Sequence, residues 1–146
     1  MNTIQYIECD ADLKKKVGEA MGEVAERHIR LEDGYAIVAL DGQAPVGLIA
    51  VYRRLLPDPL GGTDEGFINI IEVAASHRRR GIGRQLVEMS IKRSRQESRY
   101  QLRGWSSAGR ADDAIRMWKA LGFALCPATV YPHGEEVKGY FVAYQL

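Results

Sequence analysis

The sequence lacks any long hydrophobic run, and this absence limits the kind of protein that it encodes. Nowhere in the chain do about 18 apolar residues follow one another, so we expect no transmembrane helix. The opening residues, MNTIQYIECDADLKKK, also lack the apolar core of a signal peptide. We therefore expect a cytoplasmic protein that has no membrane partner.

Cysteine is scarce, and an excess of one charge is lacking as well. Cys9 and Cys126 are far apart and do not have the spacing of metal ligands, so we expect a reducing compartment and no metal. The chain has 20 basic and 19 acidic residues, which give a formal net charge of +1. Proteins that bind nucleic acid usually carry a basic excess, so we expect no nucleic-acid partner.

The length and composition are those of one ordinary globular domain. The chain has 146 residues, of which 46% are hydrophobic and 27% are charged. It contains no internal repeat, low-complexity tract or Ser/Gly linker. We therefore predict a single domain that spans residues 1–146.

Hydrophobic periodicity predicts seven strands and three helical regions. The predicted strands are 3–8, 35–40, 45–52, 67–75, 100–106, 123–130 and 137–144. One helix is predicted after Asp10, with an apolar stripe from Leu13 to His28, and two more begin near Gly81 and Ala111. Because the strands first meander and later alternate with helices, we predict an α/β protein with a mixed sheet and helices on its faces.

Arginines and glycines stand between the predicted strand 67–75 and the helix that follows it. They are Arg78, Arg79, Arg80, Gly81, Gly83 and Arg84. A helix N-terminus presents unpaired N–H groups and a partial positive charge, and glycine lets a bulky anion approach the backbone. These are the components of a phosphate site. The P-loop pattern is absent, and the third glycine of a Rossmann fingerprint would fall at Leu86, so a basic turn without a ligand also stays open.

Two motifs resemble those of the GCN5-related N-acetyltransferase (GNAT) superfamily. The run 78–83, RRRGIG, matches that family's Arg/Gln-x-x-Gly-x-Gly/Ala signature, and the run 114–123, AIRMWKALGF, resembles its Ala-x-x-x-Tyr-x-x-x-Gly-Phe helix. The order of elements also fits nearly the whole chain. The resemblance implies a mostly antiparallel sheet of about seven strands, with helices on both faces and a cleft where the fourth and fifth strands splay apart.

The resemblance also implies acetyl-CoA as the co-substrate. Its pantetheine is expected to pair with strand backbone near Val73 and Ala75. Its pyrophosphate is expected on backbone N–H groups of the run Arg79, Arg80, Gly81, Ile82, Gly83 and Arg84. Arg78 corresponds to the signature arginine. The side chains of Arg79 and Arg80 either form a solvated basic rim or bind the 3′-phosphate of CoA.

Glu72 is the candidate general base. It and Asn69 are the only strongly polar residues in the strand 67–75, and a carboxylate in an apolar strand is costly unless it is paired or used. The alternative is a structural ion pair with an arginine such as Arg103. Asn69 is a weaker candidate, which could position a water molecule.

Trp118 departs from the family pattern, because many members have a tyrosine acid at this position. An indole N–H does not serve as an acid at useful pH, so Trp118 is expected to pack against pantetheine, donate one hydrogen bond or fill the core. It is kept among the cofactor-binding residues. Ala111 is a second departure, since the family often has asparagine there.

The function that the resemblance implies is transfer of an acetyl group to a primary amine, directly within a ternary complex. The amine belongs to a small molecule or a peptide. A homodimer stays open, because family members often pair but no feature of this sequence demonstrates it. The acceptor loops are expected at 26–33, 56–65 and 130–137, and their acidic residues, which include Asp64 and Glu65, favour a cationic amine. Arg53 and Arg54 instead favour an anionic acceptor. The departures at Trp118 and Ala111 keep an alternative open, namely an acyl-CoA-binding sensor or interaction module with little transferase activity.

Overall fold

A computed structural model describes residues 3–107 and 111–146, and it describes only the backbone of residues 107 and 111–113. Within these residues the seven predicted strands are confirmed, each to within a few residues at its ends. They are β1 (Ile4–Glu8), β2 (Gly34–Asp41), β3 (Ala44–Leu55), β4 (Asp64–Val73), β5 (Gln101–Ser107), β6 (Ala124–Val130) and β7 (Val137–Gln145). The helices are α1 (Ala11–Met21), α2 (Glu23–Arg27), α3 (Ile82–Gln96) and α4 (Ala111–Ala120). No helix in the described part of the chain is long and apolar enough to cross a membrane.

All seven strands join one sheet, in the order β1-β2-β3-β4-β5-β7-β6. Strands β4 and β5 run parallel, and the other neighbouring pairs run antiparallel. Helix α3 makes the crossover between β4 and β5, as a parallel pair requires. The predicted mixed, mostly antiparallel sheet is therefore confirmed.

The sheet carries a hydrophobic core on each face, because successive side chains of a strand point to opposite faces. On one face, Leu86 of α3 and Trp118 of α4 pack with Ile49 of β3. On the other face, Val17 of α1 and Leu48 of β3 belong to a second cluster. Burial of each such side chain contributes roughly 1.5–3 kcal/mol, so both faces hold their helices in place.

The prediction of one continuous helix after Asp10 is wrong, because the helix breaks at Gly22. Asp10 caps α1 as predicted, and its Oδ1 accepts a hydrogen bond of 2.8 Å from the N–H of Leu13. Gly22 has a φ of 105°, a conformation that side-chain-bearing residues rarely adopt. The apolar spacing continues across the break because α1 and α2 pack on the same face of the sheet.

Strand β4 also differs from its prediction at both ends. It begins at Asp64, where the pair Leu55↔Asp64 closes a hairpin with β3, so Asp64 and Glu65 do not belong to an acidic loop. It ends at Val73, and a 3-10 turn over Ala75–His77 follows, in which the N–H of His77 donates to the carbonyl of Ala74 (2.8 Å). Ala75 therefore lies beyond the strand to which the sequence pattern had assigned it.

Candidate active site

A gap opens between β4 and β5 in the middle of the sheet. In the described chain these strands pair through residues 65–68 of β4 and 101–104 of β5. Beyond this point β4 continues to Val73 against β3, and β5 continues to Ser107 against β7. The two strands thus separate from each other, while β4 stays hydrogen-bonded to β3 and β5 stays hydrogen-bonded to β7. This is the splayed cleft that the sequence predicts.

Backbone groups of Ile71 and Val73 point into this gap. The N–H of Ala74 donates to the carbonyl of Val46 at 2.8 Å, so Ala74 directs its backbone groups toward β3. The backbone groups of successive residues in a strand point alternately to its two sides, so those of Ile71 and Val73 point away from β3 and into the gap between β4 and β5. The Nε of Arg78 donates to the carbonyl of Val73 at 3.1 Å. A ligand amide in the gap would therefore meet a strand edge at Val73.

The N-terminus of α3 lies just beyond the end of β4 and leaves room for a ligand. Gly81 caps the helix with a φ of 79°, and the N–H of Gln85 makes the first intrahelical bond, to the carbonyl of Gly81. The preceding N–H groups of the first turn lack acceptors within the helix. An added Cβ would meet nothing within 4 Å at Gly81, and at Gly83 it would meet only Met117 Sδ at 3.7 Å and Val73 Cγ2 at 3.8 Å. The protein therefore leaves open a cradle that a side chain would fill.

The predicted arginines surround this cradle. Arg78, Arg79 and Arg80 are exposed, and Arg84 pairs with Glu88 one turn further along α3 (3.1 Å). Arg79 has a φ of 63°, which is uncommon for a residue with a side chain and gives the loop a sharp bend. The arrangement is basic and faces solvent, as a site for a phosphate group must be.

His77 anchors the loop between β4 and α3 to the rest of the sheet. Its Nε2 lies 2.8 Å from Oδ2 of Asp41 at the end of β2, and its Nδ1 lies 2.7 Å from the hydroxyl of Ser76. Nowhere among the described residues do three His, Cys, Asp or Glu side chains gather as metal ligands would. We assign His77 and Asp41 a structural role.

Glu72 lies on the α1/α2 face of the sheet, next to the gap. It is opposite Leu48 in the β3–β4 register, and residues opposite each other share a face. Its side chain is half-buried, and it forms no hydrogen bond or ion pair with another described residue. The alternative pairing with Arg103 is wrong, since Arg103 binds Glu65 instead (2.6 Å).

Asn69 lies at a bulge of β4, where it is an extra residue between two positions that pair with β3. Ile68 pairs with Val51 and Ile70 pairs with Ala50, so no residue of β3 is opposite Asn69. Its Nδ2 donates to the carbonyl of His28, at the end of α2, over 3.0 Å. Asn69 thus holds α2 beside the gap, and its role in positioning a water molecule stays a prediction.

Comparison with known families agrees with this geometry. The sequence model described as acetyltransferase (GNAT) family matches residues 4–123, which is most of the chain. The chain belongs to this family. No curated protein sequence matches it significantly.

Solved structures of low sequence identity share the fold of this GNAT-family chain. Arabidopsis thaliana NAA60 in complex with acetyl-CoA has a TM-score of 0.81 at 14% identity, covering 99% of this chain and 100% of that one. A GNAT family acetyltransferase from Elizabethkingia anophelis with acetyl-CoA bound has a TM-score of 0.69 at 16% identity, with 100% of both chains covered. The NatC complex bound to Gag peptide and CoA contains a chain with a TM-score of 0.74 at 18% identity, covering 100% of this chain and 99% of that one.

Trp118, which replaces the tyrosine of many GNAT proteins, is a core residue in this structure. Its side chain is 3% exposed and packs edge-on against Phe123, with ring centroids 4.8 Å apart. Core packing is therefore its observed role, and its contact with the cofactor stays a prediction. The side chain of Ala111 lies outside the described residues.

Sequence reasoning missed the pair of Glu65 and Arg103, which lies where the gap begins. Glu65 is 1% exposed and accepts hydrogen bonds from Arg103 Nη2 (2.6 Å) and Gln101 Nε2 (2.7 Å). Burial by itself raises the pKa of Glu65, but the hydrogen bonds from Arg103 and Gln101, with the charges of Arg103 and Arg54, outweigh it and lower the pKa. The alternation of Gln101 and Arg103 on β5 was a signal of a polar face, but the sequence did not show the register that brings Arg103 to Glu65 rather than to Glu72.

Proposed function

We propose that this chain is an acetyl-CoA-dependent N-acetyltransferase, which moves an acetyl group to a primary amine within a ternary complex. The observation that carries the proposal is that the gap between β4 and β5 and the open N-terminus of α3 both lie at the end of β4. Together they combine strand edge for a pantetheine amide with helix N–H groups for a pyrophosphate. Its occurrence in a GNAT-family chain supports this assignment.

The residues present fit such a ligand. Gly81 and Gly83 leave the cradle open, and the exposed arginines 78–80 supply positive charge around it. The carbonyl of Val73 now accepts from Arg78, and a pantetheine amide would take over this acceptor. When bound, acetyl-CoA supplies the acyl group as a thioester, which is already activated.

Glu72 would act as the general base, directly or through a water molecule. A lysine-like amine has a pKa near 10.4, so making it neutral at pH 7 costs about 4.6 kcal/mol. A carboxylate beside the gap lowers this barrier by accepting the proton. Glu72 has no partner among the residues that the structure describes, which leaves it available for this role. A backbone N–H such as that of Val73 would polarise the acyl carbonyl.

The leaving thiol needs little assistance. A thiol pKa near about 8.5 makes the thiolate a tolerable leaving group at neutral pH. Trp118 cannot donate a proton to it, so the proposal assigns no general acid to α4. Free Cys9 and Cys126 suit the reducing cytoplasmic setting that we propose for this reaction.

Calorimetric titration with acetyl-CoA, CoA and ATP tests the cofactor assignment. We expect micromolar affinity for both CoA ligands and none for ATP, because the site requires pantetheine as well as pyrophosphate. Release of free thiol in the presence of an amine panel then tests catalysis. Absence of CoA binding would overturn the whole proposal. Binding without any amine-dependent thiol release would instead favour the alternative of an acyl-CoA-binding module.

A further inference from the structure

Two arginines share one aromatic ring at the point where β4 and β5 separate. The Cζ of Arg54 lies 4.7 Å from the ring centroid of Phe67, and the Cζ of Arg103 lies 5.1 Å from the same centroid. Phe67 is opposite Arg103 in the β4–β5 register, so these side chains share a face of the sheet. We call Arg54, Phe67 and Arg103 the arginine platform.

The arginine platform lies on the same face as Glu72. Leu48, Tyr52 and Arg54 alternate along one face of β3, and Leu48 is opposite Glu72 while Tyr52 is opposite Phe67. Four residues of strand separate these two levels, which corresponds to roughly 13 Å. The arginine platform and the candidate base therefore stand at opposite ends of one stretch of β4, with the start of the gap between them.

Positive charge exceeds negative charge around the arginine platform. Glu65 binds Nε and Nη2 of Arg103, which leaves the Nη1 group of Arg103 without a hydrogen-bond partner among the described residues. Arg54 is exposed and has no carboxylate within ion-pair distance in the described part of the chain. Its sequence neighbour Arg53, in contrast, binds Asp64 at 2.6 Å. The arginine platform thus contains two guanidinium groups, of which only that of Arg103 is paired with a described carboxylate.

The remaining N–H donors have the form that carboxylates bind. A guanidinium group presents a planar fork of donors, and it stays charged at every accessible pH. The ring of Phe67 makes cation–π contacts with both guanidinium groups. The ring of Phe141, in β7 on the other side of β5, lies with its centroid 5.2 Å from the Cζ of Arg103. The ion pair with Glu65 holds Arg103 in place before any ligand arrives, and the ring contact favours the observed position of Arg54, which lowers the entropic cost of binding.

We propose that the arginine platform binds a carboxylate of the acceptor, so that the substrate is a primary amine that also carries a carboxylate. This inference rests on the proposed acetyltransferase function and names the acceptor class for it. The carboxylate lies against Arg54 and Nη1 of Arg103, and the amine reaches toward the gap and Glu72. The cationic amine that acidic loops would favour is not the expected substrate, since Asp64 and Glu65 are both paired with arginines.

Matched pairs of amines test this proposal. β-Alanine, γ-aminobutyrate and ε-aminohexanoate are compared with their neutral amides in the thiol-release assay. Because a hydrogen bond to a charged group contributes about 1.5–3 kcal/mol, we expect KM for the best carboxylate to be at least about tenfold below that of its amide. Equal KM values for acid and amide would overturn the proposal. A tenfold preference for aminopropylphosphonate would overturn the choice of carboxylate.

The adjacent arginines provide a matched pair of variants. Arg54→Gln is expected to bring the ratio of the two KM values close to one, whereas Arg53→Gln should preserve it, because Arg53 is bound to Asp64 on the opposite face. Arg103→Lys keeps the charge beside Glu65 but removes the fork, so it too should reduce the ratio. An equal effect of Arg53→Gln and Arg54→Gln would show that only general positive charge is involved, which contradicts the proposal.

A binding measurement keeps this inference separate from the acetyltransferase assignment. The N-acetylated form of the best amino carboxylate is titrated into the CoA-bound protein, and into the free protein if CoA does not bind. Binding that Arg54→Gln weakens by at least about tenfold would support the arginine platform even without turnover. No binding of any amino carboxylate or its acetylated form would overturn the inference, whether or not acetyl-CoA binds.

Discussion

Glu72 is a half-buried carboxylate that forms no ion pair with any residue that the structure describes. Neighbouring carboxylates are paired: Glu65 binds Arg103, and Asp64 binds Arg53 and Arg99. A carboxylate that is left without a partner beside a cleft costs free energy unless a ligand or proton transfer uses it. This contrast at the residue scale supports a chemical role for Glu72.

Glu72→Gln is expected to reduce kcat/KM for the amine by about 10²- to 10⁴-fold, the usual contribution of a general base. The loss should be greatest on the acidic side of the pH optimum, where the amine is mostly protonated and needs a base most. Measurement of kcat/KM against pH tests this, with Glu19→Gln on the exposed side of α1 as the matched control. An unchanged pH profile would make Glu72 a structural residue.

At the scale of elements, the turn between β4 and α3 is the feature that forms the cradle. The sequence places glycines at 81 and 83, but the two have different reasons to be glycine. Gly81 needs its positive φ of 79°, whereas Gly83 has ordinary helical backbone and free space around it. The proposed binding of a pyrophosphate in the cradle accounts for the lack of a side chain at position 83.

Gly83→Val is therefore expected to weaken acetyl-CoA binding by at least about tenfold while changing the free energy of unfolding by less than about 1 kcal/mol. The valine side chain would occupy the cradle and make only van der Waals contacts with Met117 and Val73. Calorimetry and urea denaturation measure the two effects. Gln85→Val is the control, because Gln85 is on the same helix but lines a separate groove between α3 and Glu8 of β1. Unchanged affinity in Gly83→Val would refute the cradle.

The sheet as a whole depends on a short parallel contact between its two halves. Strands β1 to β4 form one half, strands β5 to β7 form the other, and four residue pairs join them. Glu65 strengthens this contact because it binds two side chains of β5, those of Gln101 and Arg103. The stability of the whole molecule should therefore respond more to Glu65, which is buried, than to carboxylates on the surface or in loops.

Glu65→Gln is expected to destabilise the protein by about 3 kcal/mol at pH 7, because it leaves Arg103 without its buried partner. The pKa of Glu65 is lowered on folding, so its stabilisation is complete above the ordinary value of 4.5 and is lost as pH falls through the folded-state pKa. Urea denaturation should thus show a smaller difference between wild type and variant at acidic pH than at pH 7. A difference that does not change with pH would contradict this assignment.

The sequence alone predicted most of the secondary structure of this protein and its family. Local periodicity and the motifs at 78–83 and 114–123 determined the seven strands, the helix after Gly81 and the GNAT assignment, because these signals depend on near neighbours. The single domain and the homodimer stay predictions. The break at Gly22 went unseen, since a glycine is compatible with both a helix and its end.

Only the tertiary structure decided which distant side chains meet. Register between strands brought Arg103 to Glu65, left Glu72 without a partner in the described part of the chain and gathered the arginine platform at the gap. A shift of one residue in either strand would have turned these side chains to the other face. Pattern along the chain therefore determined which elements form, whereas pairing between elements decided which residues make up the site.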